Sequence, residues 1–246
     1  MQRDALRDAR AYLRWLGRMG MVIPRAEVQA KLDEMQENTD NHGQPRTKEA
    51  GRQLSRLAQV VAACRKCEIG HTRKNSVFGV GNPAAALVFV GEAPGAREDE
   101  TGKPFVGPAG NLLTQELARH GVTRDEVFIC NVLKCHPPND RDPVADEIIA
   151  CESYLLQQLD IIQPKMLCAL GRFAAATLLK CPIFIMKLRG SWQSYGGRPL
   201  FMCLHPAAVL HSPANRSLFS SDIEALARAY HAAKGGPGAP DIRTNR

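Results

Sequence analysis

Residues Ala84–Leu113 read AAALVFVGEAPGAREDETGKPFVGPAGNLL, and this stretch decides the fold. Its opening, Ala85–Val90, is a short apolar run with the length and composition of a buried strand. The run breaks at Gly91-Glu92-Ala93-Pro94-Gly95, which opens an irregular loop carrying six acidic or basic side chains, Glu92 included. After Gly107-Pro108 the apolar residues Leu112, Leu113 and Leu117 recur at helical spacing, with the proline where a first helical turn accepts it. A buried strand, a charged loop and then a helix is how open α/β folds build sites at the carboxyl end of a strand.

The same grammar repeats downstream. Val127–Leu133 (VFICNVL) reads as a second buried strand that emerges at Lys134-Cys135-His136-Pro137-Pro138. Asp142-Pro143 then predicts a helix start, with Asp as N-cap, Pro at the first position and Asp146 and Glu147 in the first turn. Ile148, Cys151, Leu155, Leu159 and Ile162 recur at three- and four-residue steps, which puts Cys151 on the core side. Lys165–Leu170 is a third strand and Phe173–Leu179 a helix; Arg198–Leu204 is a fourth strand ending at His205-Pro206, and a last helix covers Leu218–Lys234. Strands alternating with helices predict an α/β fold with a mainly parallel sheet. The switch-point rule then points to Gly91-Glu92, Asn131, Gly171 and His205 as one site.

Upstream, Glu49–Val61 reads as a helix with Leu54, Leu57, Val60 and Val61 on one face, leading into Cys64-Arg65-Lys66-Cys67. Residues 1–20 contain an amphipathic helix, with a second around Pro24–Met35, and Gln36–Lys48 is a polar linker. The domain reading is an N-terminal arm and linker at 1–48, the main domain at 49–234 and a disordered tail at 235–246.

The chain of 246 residues carries a net charge of +7, and no acidic residue lies between Asp160 and Asp222. Lys165, Arg172, Lys180, Lys187, Arg189, Arg198 and Arg216 all fall there, which suits a polyanion such as a nucleic-acid backbone. No apolar run is long enough to span a membrane, and MQRDALRDAR has no apolar core of a secretory signal, so a cytoplasmic monomer is expected. Eight cysteines in that setting argue for metal chemistry over disulfides. Cys130, Cys168 and Cys203 within strands, and Cys181 after a helix, read as buried apolar residues. Cys64, Cys67, Cys135 and Cys151 remain as four thiolates able to hold zinc or an iron–sulfur cluster; spacing favours neither strongly, and zinc is the default.

The segments GEAPGAREDETGKPFVGPAGNLL, NVLKCHPPNDRDP and LHPAAVL, together with Cys64-x2-Cys67, resemble the family 4 uracil-DNA glycosylases, the iron–sulfur branch of their superfamily. The resemblance covers residues 54–230, in order, and leaves out the arm and the tail. It implies a three-layer α/β/α domain around a four-stranded parallel sheet. It replaces the zinc default with a 4Fe–4S cluster on Cys64, Cys67, Cys135 and Cys151. It implies excision of uracil from uracil-containing DNA, leaving an abasic site, as a step of DNA repair. Phe105 would stack on the flipped base, Asn131 read its polar edge and His205 sit at O2, with Glu92 and Glu98 in the acidic loop.

Three departures qualify the likeness. Other branches carry Asp or Asn where Ala93 stands and use it to position water, so a loop glutamate or a backbone carbonyl has to substitute. Ala208 and His211 replace the aromatic and the arginine usual after the His-Pro pair. The loop Lys134–Asp142 lacks the basic insert of a related cross-linking branch, so no covalent DNA adduct is expected. Two other classes compete: a non-catalytic iron–sulfur nucleic-acid-binding protein of the same fold, and an iron–sulfur electron carrier. A pure binder has no need of Glu92, Phe105, Asn131 and His205 near strand ends, and a carrier has no need of the acid-free basic stretch.

Overall fold

The computed structural model describes residues 46–235; the expected arm and linker, apart from its last residues, and nearly all of the tail lie outside the described residues. A six-stranded sheet in the order β1-β3-β2-β4-β6-β5 forms the middle layer. Its four central strands are parallel: β2 (Leu87–Gly91), β3 (Phe128–Asn131), β4 (Met166–Leu170) and β6 (Arg198–Cys203). These are the four strands the apolar runs predict, with ends shifted by no more than two residues. All but Arg198 of their residues are buried, because helices cover both faces and leave no side for water.

The two-residue period divides the core. Val88, Val90, Cys130, Leu167, Ala169 and Met202 pack under α1 (Arg46–Ala63), α5 (Ala145–Ile162) and α6 (Arg172–Leu179). Leu87, Phe89, Ile129, Cys168, Leu170 and Phe201 face α4 (Pro108–Arg119) and α9 (Arg216–Gly235). The remaining elements are α2 (Ile69–Thr72), α3 (Ala96–Thr101), α7 (Ile185–Leu188) and α8 (Pro206–His211). The result is the three-layer α/β/α domain.

Both edges carry an antiparallel strand that the sequence reading omits: β1 (Val80–Gly81) on β3, and β5 (Trp192–Tyr195) on β6. The second was legible. Gly196 and Gly197 both take positive φ, 54° and 77°, as a two-residue hairpin turn demands.

Four local expectations fail for identifiable reasons. On α1 the buried stripe is Leu54, Leu57 and Val61, while Val60 is 56% exposed, since it sits about 100° around the helix from its neighbour. Part of the charged loop after β2 is helical, as α3. Helix α5 begins at Ala145 rather than at Pro143. Glu147 reaches back so that its Oε2 accepts from the Val144 N–H at 3.0 Å, and this internal cap frees Asp142 for another task. Cys181 is exposed, because Lys180 ends α6 in the left-handed region and turns the chain outward.

Candidate active site

A cavity of about 590 Å³ opens at the carboxyl ends of the parallel strands. Its walls include Glu92, Ala93, Glu98, Phe105, Asn131 and His205, so all six candidates for catalysis and base binding meet in one place.

Asn131 ends β3 and is 1% exposed. Its Oδ1 has no hydrogen-bond partner, an unusual state for a buried amide. Gly91 stands opposite it in register on β2. A Cβ there would lie 2.3 Å from Asn131 Oδ1 and 2.5 Å from Phe105 Cζ, so only glycine lets amide and ring approach each other.

Phe105 is held in a conformation that aromatic residues avoid, with φ at 53°. Arg124 supplies the restraint: Nη1 donates to the Phe105 carbonyl at 3.0 Å and Nη2 to the Pro104 carbonyl at 2.8 Å. Glu98 holds the other side, its Oε1 accepting from the N–H groups of Val106 and Gly107, each at 2.8 Å. The Phe105 backbone also presses on Gly110, where a Cβ would come within 1.9 Å of the Phe105 carbonyl oxygen. Several groups thus over-determine one strained residue, a state that clusters at functional sites.

His205 follows β6 and caps α8: its Nδ1 accepts from the Ala207 N–H at 3.2 Å. That bond leaves the ring proton on Nε2, which is buried and has no partner. Burial pushes the pKa of His205 down to about 4, against a smaller opposing pull from Glu98, so the ring is neutral at pH 7. The ring centroid lies 5.7 Å from that of Phe105. The cavity therefore presents one unmatched acceptor, one unmatched donor and an aromatic face.

Glu92 is the carboxyl of the wall whose proton affinity the surroundings change most. Burial, and secondarily the charge of Asp142, raise its pKa to about 7, with Arg172 pulling the other way. Asp142 and Arg172 pair at 2.5 Å and both line the cavity.

The acid-free basic stretch does not form one face. Lys165 donates to the Ala233 carbonyl and Arg198 to Gln163, both at the amino ends of their strands, away from the cavity. Lys180 pairs with Glu152, Arg189 with Asp222 and Arg216 with Glu116, acids brought from other segments. Of the seven, only Arg172 lines the cavity.

Cys64, Cys67, Cys135 and Cys151 line a second, small hollow together with Arg73, Lys134 and Tyr154. None of the eight cysteines forms a disulfide. Arg73 Nη1 donates to Cys135 Sγ at 2.9 Å and the Lys134 N–H to Cys151 Sγ at 3.2 Å. Burial raises the thiol of Cys67, that of Cys135, and that of Cys151 to about 12, so ionised sulfur there needs positive charge beside it. Among the described residues no three His, Cys, Asp or Glu side chains are gathered as ligands of a single ion. Four sulfurs around one hollow, with N–H donors aimed at two of them, still fit a bulkier thiolate-bound group.

Sequence reasoning missed Arg124, Lys134, Asp142 and Arg172. Asp142 had a competing local explanation as a cap, Arg172 was lost among its basic neighbours, and nothing local marks Arg124 or Lys134.

The model of the Uracil DNA glycosylase superfamily matches residues 78–227. The chain is 43% identical over 183 residues to the Type-4 uracil-DNA glycosylase of Archaeoglobus fulgidus, covering 70% of this chain and 91% of that one. It is 43% identical over 185 residues to the Type-4 enzyme of Saccharolobus solfataricus, covering 72% and 86%. Against the Type-4 enzyme of Pyrobaculum aerophilum it is 44% identical over 178 residues, covering 69% and 91%.

Proposed function

The chain belongs to the uracil-DNA glycosylase superfamily, with type-4 enzymes as its relatives, and from that premise we propose how it acts. It is a uracil-DNA glycosylase of DNA repair: it cleaves the N-glycosidic bond of deoxyuridine and leaves an abasic site in DNA. The observation that carries the site assignment is the pair of orphaned atoms, Asn131 Oδ1 and His205 Nε2, flanking the Phe105 ring.

A base within a duplex is out of reach, so the nucleotide rotates out of the stack into the cavity. Phe105 covers one face of the ring. Asn131 Oδ1 accepts from uracil N3–H while its NH2 donates to O4. The C1′–N1 bond then breaks with its electron pair going to the base, whose negative charge spreads onto O2. The neutral His205 donates Nε2–H to that oxygen, where charge develops, and keeps its proton. Ionised Glu92 stabilises the cationic sugar; water adds at C1′, and the proton it releases neutralises the departing uracil anion. Ala93 leaves room for that water without contributing a polar group. Glu98, spent on two backbone N–H groups, is a positioning residue for Phe105.

Cys64, Cys67, Cys135 and Cys151 hold a 4Fe–4S cluster. The reading rests on four cysteines lining one hollow, with Arg73 and the Lys134 N–H directed at two of the sulfurs. Bound there, the cluster supplies a cross-link joining three chain segments behind the cavity. The enzyme acts as a monomer in the cytoplasm, within an arm at 1–48, a domain at 49–234 and a tail at 235–246. Among the described residues no helix is long and apolar enough to cross a membrane.

A uracil-containing oligonucleotide, incubated with the protein and then treated with alkali, should break at the uracil position. An intact strand would leave the non-catalytic DNA-binding alternative standing.

A further inference from the structure

Beside the cavity lies an apolar patch that base excision as described above does not use. Among the described residues Phe184 and Met186 are the two most exposed large apolar side chains, at 76% and 57%. They belong to α7 and its N-cap, and Ile185 between them lines the cavity wall. Lys187 places its ammonium 5.9 Å from the centre of the Phe184 ring. Across the wall, His211 lines the cavity and its neighbour Leu210 is 49% exposed. Single exposed apolar residues are ordinary on a surface. Two at one short helix and its N-cap, with a lysine ammonium beside one of them and the cavity wall next to both, are not.

We propose that Phe184 and Met186 form a docking surface for the DNA strand next to the flipped nucleotide, with Phe184 stacking on a neighbouring base. The proposal rests on the uracil-excision reading, because that reading sets where the strand runs. A base can enter the cavity only if its sugar–phosphate backbone crosses the rim, so the adjoining nucleotides lie on residues next to the lining. Flipping also strips a neighbouring base of its stacking partner and leaves a π-face open to water. An aromatic ring on the rim replaces that lost contact, and base–aromatic stacking is tolerant of sequence. The charge fits too. Lys187, whose ammonium lies beside the Phe184 ring, is the phosphate partner at the patch.

The test is a single-stranded oligonucleotide carrying a 2′-fluoro-deoxyuridine, which resists cleavage, with affinity read by fluorescence anisotropy at several salt concentrations. Phe184→Ala should weaken binding about 5- to 100-fold, the span that loss of one base–aromatic stack produces. The slope of affinity against salt should stay as in the parent, because no charge is removed. Phe184→Trp should bind like the parent, and Phe184→Leu, which keeps apolar area without a π-face, like Phe184→Ala. Lys187→Ala should instead flatten the salt slope by about 0.7, the contribution of one phosphate contact on a single strand. These side chains are exposed, so the variants keep the fold. Equal affinity for parent and Phe184→Ala, while the parent excises uracil normally, overturns this proposal and spares the excision reading. So does a dimer of the parent that Phe184→Ala dissolves, which would give the patch to a second copy of the chain. Failure of the parent to excise uracil at all overturns the excision reading itself.

Discussion

Asn131 and Lys134 stand three residues apart and are each 1% exposed, yet their polar atoms meet opposite fates. The Lys134 ammonium donates to the Asn131 carbonyl and to Gln158 Oε1, both at 2.6 Å. Its N–H goes to Cys151 Sγ, its carbonyl accepts from the Val77 N–H at 2.8 Å, and Gln158 passes the chain on to the Phe78 carbonyl. Asn131 Oδ1 has nothing. An unpaired buried polar group costs about 1–3 kcal/mol, so a fold tolerates one where a ligand completes it. The contrast separates a joint from a pocket. Lys134 fastens the strand end to the helix that carries Cys151, and the unpaired acceptor of Asn131 is the one the proposed function gives to the base.

The sharpest way to break that contrast is Asn131→Asp. It removes the donor to uracil O4 and offers an acceptor to cytosine N4, reversing a match that sites built on hydrogen bonds enforce by about 10⁴–10⁵. Excision of uracil should nearly vanish and weak excision of unpaired cytosine appear, assayed with each base in single strands. Uracil removal at the parental rate would show that the orphaned amide does not read the base.

Next in size is His205→Ala, which takes away the second unmatched atom. The single-turnover rate should fall by about 10²–10³, the usual cost of one such donor, with DNA affinity little changed. A rate within twofold of the parent would return His205 to a helix cap and nothing more.

Lys134→Met tests the joint. Two buried acceptors, the Asn131 carbonyl and Gln158 Oε1, lose their donor at about 1–3 kcal/mol each. The thermal midpoint should drop by about 5–20 °C. Uracil-versus-cytosine preference should also weaken as Asn131 loosens, whereas a change in stability alone would make Lys134 a joint without influence on the pocket.

The smallest effect concerns Glu92. With its pKa near 7 the carboxyl is protonated and neutral below that pH and ionised above it. If the ionised form stabilises the cationic sugar, the single-turnover rate should rise with pH and level off above 7, standing about tenfold below the plateau at pH 6. His205, at about 4, stays neutral across that range and contributes no step. Glu92→Gln should lower the plateau and abolish the step; an unchanged pH profile in that variant would move the titration elsewhere.

Sequence alone determined the class of fold, and the reason is local. The runs LVFV, FIC, MLCAL and LFMC are apolar on both faces because helices cover both, and that pattern is written in consecutive residues. The motifs around Gly91, Asn131 and His205 also pointed to residues that gather at one cavity, since the carboxyl ends of parallel strands meet by topology. Tertiary structure alone decided the rest. The basic stretch is one-signed only along the chain; folding brings Glu116, Glu152 and Asp222 to three of its members. Asp142 looked like a cap until Glu147 turned back to take that place. Lys134 carried no local sign of burial, and no spacing rule shows that Asn131 Oδ1 and His205 Nε2 stay unpaired. Periodicity is a property of neighbours in sequence, whereas the pairing of a buried polar atom depends on every segment packed around it.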